Sequence, residues 1–311
     1  MKAIVVGNCQ SLTFKNVAQR MVKNIEFDHV EAQSLKQDFG RIIETYDIAF
    51  LQPHIHERTD VAAFDGIRII RFPRCSFYGF HPDYISVTYR GKPYASTLVN
   101  HSAIILSAHL DGLNQDETLS LFNEGVFRDL KFQDYFEVAK TSFFDEWKST
   151  GLDATQRFKE WMKFTTPFML TPVHPKIQII ADMTFDVLEA AGLSPDQNIE
   201  LPPHHLEKFI QFGVYPDLGK MFGMNCDFLG FGKDAENNLR PVNLEAFIRE
   251  SFSKYNRIDR EGIVPSKSLS KYREVIAQRK ILPSRKKSAL RSNPYAGIQR
   301  HQNWRKPTFP K

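Results

Sequence analysis

The feature that most constrains this chain is its opening. Residues 2–11 read Lys-Ala-Ile-Val-Val-Gly-Asn-Cys-Gln-Ser. Ala3 to Val6 are a short apolar, β-branched run, the pattern of a buried strand. Gly7 breaks the run, and Phe14, Val17, Ala18, Met21 and Val22 then recur at helical spacing. A buried strand, a glycine turn and an amphipathic helix, met in that order, are the first unit of an α/β fold of nucleotide-binding or hydrolase type. The turn is not the dinucleotide fingerprint, because the second and third glycines of Gly-x-Gly-x-x-Gly are missing.

That turn is also where chemistry is expected. Asn8, Cys9, Gln10 and Ser11 fall at a helix N-terminus, whose free backbone N–H groups bind anions and lower the pKa of a nearby thiol. Cys9 is therefore a candidate reactive thiolate. Asn8 and the turn amides are candidate donors to an oxyanion or a phosphate. The plain alternative is a small cysteine packed under the sheet, with Ser11 as a helix cap.

Further strands are expected at Ile25–Val30, Tyr46–Leu51 and Gly66–Phe72, with a helix over 33–45. Alternating strands and helices predict a parallel sheet with flanking helices. Ligands of such sheets bind beyond the carboxyl ends of the strands, which directs attention to Asn8–Gln10, to Gln52-Pro53-His54 and to Arg71–Arg74. The aromatic loop 75–84 carries His81 and Asp83, an acid/base candidate pair, since an imidazole needs an orienting neighbour; Asp83 can equally cap a turn. Residues 131–170 are rich in Phe and charge and read as a helical insert or cap, the phenylalanines lining either a cleft or ordinary core. Thr171-Pro172-Val173-His174-Pro175 leads into a helix with an apolar stripe from Ile177 to Ala191, ended by Gly192. There His174 is placed to meet a phosphate or to cap the helix. Pro202-Pro203-His204-His205 reads as a turn, and two adjacent histidines alone are not a metal pattern. A loop is expected around Gly230-Phe231-Gly232, and helices near 244–255 and 272–280. The organisation expected is an α/β core over 1–115, a mainly helical region over 116–265, and a tail over 266–311.

Charge supports that division. The whole chain of 311 residues carries only +5, yet 13 of its Lys and Arg lie between Lys267 and Lys311 against the single acid Glu274, so the preceding residues are net acidic. The tail is expected to be basic and partly disordered, and to suit an acidic partner or an anionic membrane surface. Nucleic acid is disfavoured, because no recognition motif accompanies the charge. Three cysteines suit a reducing compartment and suggest neither a disulfide framework nor a zinc site; no metal is expected. With no secretory leader pattern and no apolar run of membrane length, the expectation is a soluble cytoplasmic protein.

Val5-Val6-Gly7-Asn8-Cys9-Gln10, then Phe72-Pro73 leading to Gly79-Phe80-His81-Pro82-Asp83, then His174-Pro175 opening a helix ended by Ala191-Gly192-Leu193, together resemble the WcbI family of capsular polysaccharide biosynthesis enzymes, over about residues 1–195. The resemblance implies coenzyme A or acetyl-CoA as ligand, and acetyl transfer to a hydroxyl of a surface-polysaccharide sugar, so that a sugar or glycan is the acceptor. It implies a core similar to the Ser-Gly-Asn-His hydrolases, with Cys9 at the place of their serine, although no Asp-x-x-His pair lies near the C-terminus. On this reading Cys9, His81 and Asp83 are the catalytic candidates. Gly7, Asn8, Gln10, Ser11, Gln52, Arg71, Arg74 and His174 are the cofactor-binding candidates, Arg71, Arg74 and His174 facing the phosphates. Cys9 would take the acetyl group itself, or His81 would deprotonate the sugar for direct attack. An esterase or thioesterase at the same site, a sulfotransferase-type enzyme with another nucleotide donor, and a non-catalytic docking protein of glycan assembly remain open from the residues.

Overall fold

The computed structural model describes residues 1–32, 43–56 and 66–281. Four parallel strands form the central sheet: β1 (Lys2–Gly7), β2 (Glu26–Glu31), β3 (Ile48–Leu51) and β4 (Arg68–Arg71), in the order β2-β1-β3-β4. Successive side chains of a strand point to opposite faces, and β1 uses both. Ala3 and Val5 join Phe27, Ile48 and Phe50 in the core beneath helix α1 (Ser11–Met21), while Ile4 and Val6 join Ala49, Leu51, Ile43 and Ile55 on the other side. A strand buried on both faces reads as an unbroken apolar run, which is why Ala3–Val6 was so clear a signal. Most of the helix expected over 33–45 lies outside the described residues.

The Phe-rich stretch is core. Phe77 is its hub, with ring centroids 4.9 Å from Phe80, 5.2 Å from Phe136, 5.3 Å from Phe158 and 5.4 Å from Phe168. Gly79 is required beside it, since a Cβ there would sit 2.4 Å from Phe77 Cζ. These rings come from the loop after β4, from the long helix α3 (Phe132–Lys148), from the helix Thr155–Trp161 and from the segment just before the short strand Met169–Thr171. Between β4 and α3 runs helix α2 (Ala103–Leu110), apolar on nearly every side and buried through His109. It centres a second apolar cluster with helices α5 (Leu244–Tyr255) and α6 (Ser270–Ile281).

Helix α4 (Ile177–Ala190) packs on α1. It begins two residues after Pro175, because His174 and Pro175 pair first with 169–171 as a short antiparallel strand. Gly230 and Gly232 also depart from expectation. They lie in a hairpin strand, Leu229–Lys233 against Leu239–Asn243, and a Cβ on Gly232 would come within 2.9 Å of the Thr97 carbonyl oxygen. The first part of the basic C-terminal stretch is docked by specific contacts. Leu269, Val275 and Ile276 are buried, Arg273 pairs with Asp111 at 2.6 Å, Arg279 pairs with Asp129, and Lys271 Nζ donates to the Leu130 carbonyl at 2.6 Å. The expected disordered stretch beyond 281 lies outside the described residues. Among those residues no helix is long and apolar enough to cross a membrane.

Candidate functional site

The carboxyl end of β1 runs directly into the turn at Asn8–Gln10. Gly7 lets Gln52, from the end of β3, approach closely: a Cβ on Gly7 would meet Gln52 Oε1 at 2.8 Å. That oxygen accepts the Asn8 N–H at 2.8 Å. Asn8 Oδ1 in turn accepts the Gln10 N–H at 2.9 Å, and the Asn8 carbonyl accepts both the Ser11 N–H at 2.9 Å and the Ser11 hydroxyl at 2.6 Å. Three of the turn amides expected to face a ligand are thus already bonded, those of Gln10 and Ser11 within the turn and that of Asn8 to Gln52. Ser11 is the first residue of α1 rather than its cap.

Gln10 is wholly buried, and its amide joins three parts of the chain. Oε1 accepts the Cys75 N–H at 3.0 Å, and Nε2 donates to the Cys75 carbonyl at 2.9 Å and to the Val173 carbonyl at 2.7 Å. The segment after β4 and the turn leading to His174 are therefore both fastened to the residue beside Cys9.

Four histidines gather around this turn. His205 Nε2 donates to the Cys9 carbonyl at 3.0 Å, and its Nδ1 receives the Thr13 hydroxyl at 2.9 Å. His204 Nε2 donates to the Pro175 carbonyl at 2.9 Å. His29, on β2, lies 2.8 Å from the Ser11 hydroxyl through Nε2. The Ser11 proton is committed to the Asn8 carbonyl, so His29 must donate from Nε2, which leaves Nδ1 as the basic nitrogen. His174 is close enough to His204 and His205 for their charges to repel, and its Nδ1 is buried with no hydrogen-bond partner among the described residues. Burial is the largest influence holding all four imidazoles below their ordinary pKa, so they are neutral at pH 7. Phe209, 48% exposed, completes the wall, its ring centroid 5.9 Å from that of His174 and 6.4 Å from that of His205.

Cys9 is half-buried, whereas Cys75 and Cys226 are buried. Its thiol pKa is raised, not lowered as the helix N-terminus suggested. Burial and the nearby Glu31 carboxylate outweigh the backbone N–H groups of Cys9 and Gln10, which act the other way.

The remaining expected residues lie elsewhere. Arg71 is exposed at the end of β4. Arg74 forms a two-pronged pair with Glu146, Nε to Oε1 and Nη2 to Oε2, each at 3.2 Å. His81 and Asp83 are buried. Asp83 accepts the Tyr215 hydroxyl at 3.0 Å and the Ser102 hydroxyl, and Ser102 caps α2 by accepting the Ile105 N–H at 3.2 Å. The His81 ring packs edge-on against Phe212 at 5.5 Å. These bonds tie the loop to the second core and not to the Cys9 turn. No group of three His, Cys, Asp or Glu that could hold a metal occurs among the described residues. His29, His204 and His205 were missed as site residues. Their sequence signal was slight: His29 shares one face of a short strand with apolar Phe27, and the His204-His205 pair stands alone in a turn.

The buried pair His81 and Asp83 has a measurable signature. Burial lifts the Asp83 pKa from 3.8 to about 6, and its stabilising effect, full below pH 3.8, is lost as pH rises through 6. Burial drops the His81 pKa from 6.5 to about 4, so its effect is full above 6.5 and is lost as pH falls through 4. The two slopes oppose one another. Asp83→Asn should therefore lose less stability, relative to wild type, at pH 7 than at pH 4, by up to roughly 3 kcal/mol. Urea unfolding at the two pH values measures this; an equal loss at both would show that Asp83 ionises as it does in water.

The family model for the polysaccharide biosynthesis enzyme WcbI matches residues 2–196. A solved structure of WcbI, described as a novel polysaccharide biosynthesis enzyme and as the native protein without a disulfide bond between coenzyme A and one of its cysteines, is similar in fold. It has a TM-score of 0.61 and 16% identity, over 90% of this chain and 96% of that one. No curated protein matches.

Proposed function

Because the chain belongs to the WcbI family of polysaccharide biosynthesis enzymes, we propose that it transfers an acyl group, acetyl in the simplest case, from acyl-coenzyme A to a hydroxyl of a surface-polysaccharide sugar. The observation that carries this reading is the turn at the carboxyl end of β1, where Cys9, the most accessible of the three cysteines, has its carbonyl held by His205 while His29 holds the neighbouring Ser11 hydroxyl. The similar structure is described with coenzyme A and a cysteine, and the residues here suit that ligand. His174 offers a ring nitrogen with no hydrogen-bond partner beside the turn, and Phe209 offers an exposed aromatic face next to it for an adenine ring. We read the core as hydrolase-like, on the order β2-β1-β3-β4 and on a cysteine turn directly after β1.

Bound acyl-coenzyme A supplies the acyl group as an activated thioester. The raised pKa of Cys9 means that its thiol is protonated at pH 7 and needs a base to act as nucleophile. We assign that base to His29, whose ring is anchored on the same turn as Cys9: it is neutral, its Nε2–H is pinned by Ser11, and its Nδ1 carries the lone pair. Glu31, two residues along β2, raises the His29 pKa electrostatically and stabilises the imidazolium. Asn8, with Oδ1 occupied by Gln10, presents its NH2 as the donor to a developing oxyanion. Over the whole reaction the sugar hydroxyl proton travels through His29 to the departing thiolate.

A thermal-shift titration tests the reading. Coenzyme A and acetyl-coenzyme A are expected to raise the melting temperature by several degrees at about 100 times Kd, where mass action adds about 2.7 kcal/mol, while a 3′-phosphoadenosine sulfate donor is expected to do nothing. Stabilisation by the sulfate donor alone would transfer the site to another group-transfer class.

A further inference from the structure

A cleft of about 260 Å³ opens between the segment after β4 and helix α3, lined by Arg74, Ser76, Tyr78, Tyr135, Ser142 and Glu146 among others. We propose that this cleft seats the acceptor saccharide, as a neutral sugar ring; the inference rests on the acyl-transfer reading above and names where its second substrate sits.

Three properties of the cleft argue for a sugar. The first is charge. Arg74 and Glu146 neutralise each other through two hydrogen bonds of 3.2 Å, so the lining carries a donor and an acceptor side by side but no net charge. A pyrophosphate wants net positive charge, whereas neighbouring hydroxyls of a pyranose each want a donor or an acceptor. The second is aromatic surface. Tyr78 is 41% exposed at the mouth, and a tyrosine ring offers an apolar face and a polar tip, which matches the C–H face and hydroxyl rim of a sugar. Tyr135 is steadied by Lys267, whose Nζ lies 5.3 Å from the ring centroid. The third is size. The cavity is at or below the lower end of ligand pockets, roughly 300–1,000 Å³, which accommodates a sugar ring better than a whole nucleotide cofactor.

Placement connects the cleft to the chemistry. It lies beyond the carboxyl end of β4, the edge at which parallel sheets bind ligands. Cys75, between Arg74 and Ser76, has both its backbone groups held by Gln10, and the Phe77 N–H donates to the Pro172 carbonyl at 2.7 Å. Gln10 Nε2 also holds Val173, next to His174. One side chain, adjacent to Cys9, thus fastens the cleft on one flank and the histidine cluster on the other. Of the cofactor candidates, His174 lies on the histidine flank, whereas Arg74 lines the cleft with its charge committed to Glu146, which leaves the cleft to the acceptor.

The test is saturation-transfer NMR on the full chain with a panel of methyl glycosides of neutral hexoses and 6-deoxyhexoses, together with a uronic acid and inorganic phosphate as charged controls. Saturation transfer to at least one neutral glycoside is expected with wild type and with Tyr78→Phe, and a loss of at least tenfold in affinity with Tyr78→Ala. Ser142→Trp, which fills the cleft from helix α3, is expected to abolish the signal as well. The melting-temperature shift from coenzyme A should be unchanged in all three variants. Absence of transfer to every neutral glycoside, undiminished transfer in Tyr78→Ala and Ser142→Trp, or preference for the charged controls would each overturn the proposal. Coenzyme A binding without sugar binding sinks this inference alone, and sugar binding in the cleft without coenzyme A binding sinks the donor reading alone.

Discussion

A Gln10→Ala variant is expected to lose about 3–5 kcal/mol of stability, a large part of the total for any single domain. The loss has a definite source. The substitution leaves the Cys75 N–H, the Cys75 carbonyl and the Val173 carbonyl without the partner that Gln10 gives them, at a site where Gln10 itself is wholly buried. Each unsatisfied buried group costs about 1–3 kcal/mol, and some of the penalty is recovered when water enters the space. Gln10→Glu should be no milder. It keeps an acceptor for the Cys75 N–H, removes the donor to both carbonyls, and places a carboxylate where nothing neutralises it. Urea unfolding of both variants is the measurement. A loss below about 1 kcal/mol in Gln10→Ala would mean that the two segments hold the turn by packing alone, and would remove the link between the cleft and the histidines.

Cys9→Ser is expected to lower turnover with acetyl-coenzyme A by roughly 10³-fold or more, as removal of a nucleophile does elsewhere, and to abolish any trapped radiolabelled acetyl-enzyme. Serine preserves the shape of the turn, so thermal stability and coenzyme A binding should be retained. Retained turnover would assign the direct route, in which the sugar hydroxyl attacks with its proton taken by a histidine and Cys9 only lines the site. Alkylation gives an independent check on the electrostatics. Burial and Glu31 raise the Cys9 pKa above the ordinary thiol value of 9.0, so its reaction with iodoacetamide should still be accelerating at pH 9. A plateau reached by pH 7 would restore the thiolate that the helix N-terminus alone suggested.

The first strand, the turn and the first helix were legible because each rests on neighbours in sequence: an apolar run, one glycine, then a 3.6-residue period. The other three strands of the central sheet and the helix at 244–255 were legible for the same reason, whereas the later short strands, the 229–233 hairpin strand among them, were not. The expected start of α4 at Pro175 failed because a two-residue pairing with Met169 and Thr171, invisible to local pattern, took that proline first. The site was legible only in its first half. Cys9 stands out because it follows a strand. His29, His204 and His205 owe their place to pairings between segments far apart, which spacing does not encode. His81 and Asp83 attracted attention as two polar residues in an aromatic loop, but sequence does not say which face of a loop turns inward. Here both turn inward, and Asp83 meets the Ser102 and Tyr215 hydroxyls. The phenylalanines told the same ambiguous story until Phe77 was seen at the centre of their rings.

The turn that carries Cys9 is finished by residues 163 and 196 positions further along: Val173 on Gln10, and His205 on the Cys9 carbonyl. Synthesis delivers the parts in the opposite order to their need. Cys9 is made 196 residues before His205, so completion of the turn waits about 10–40 s at roughly 5–20 residues per second. For that interval the turn lacks the Val173 and His205 contacts that complete it. The nascent chain is therefore expected to be more open to oxidation and alkylation at Cys9 than the finished protein, until the segments that carry Val173 and His205 have arrived.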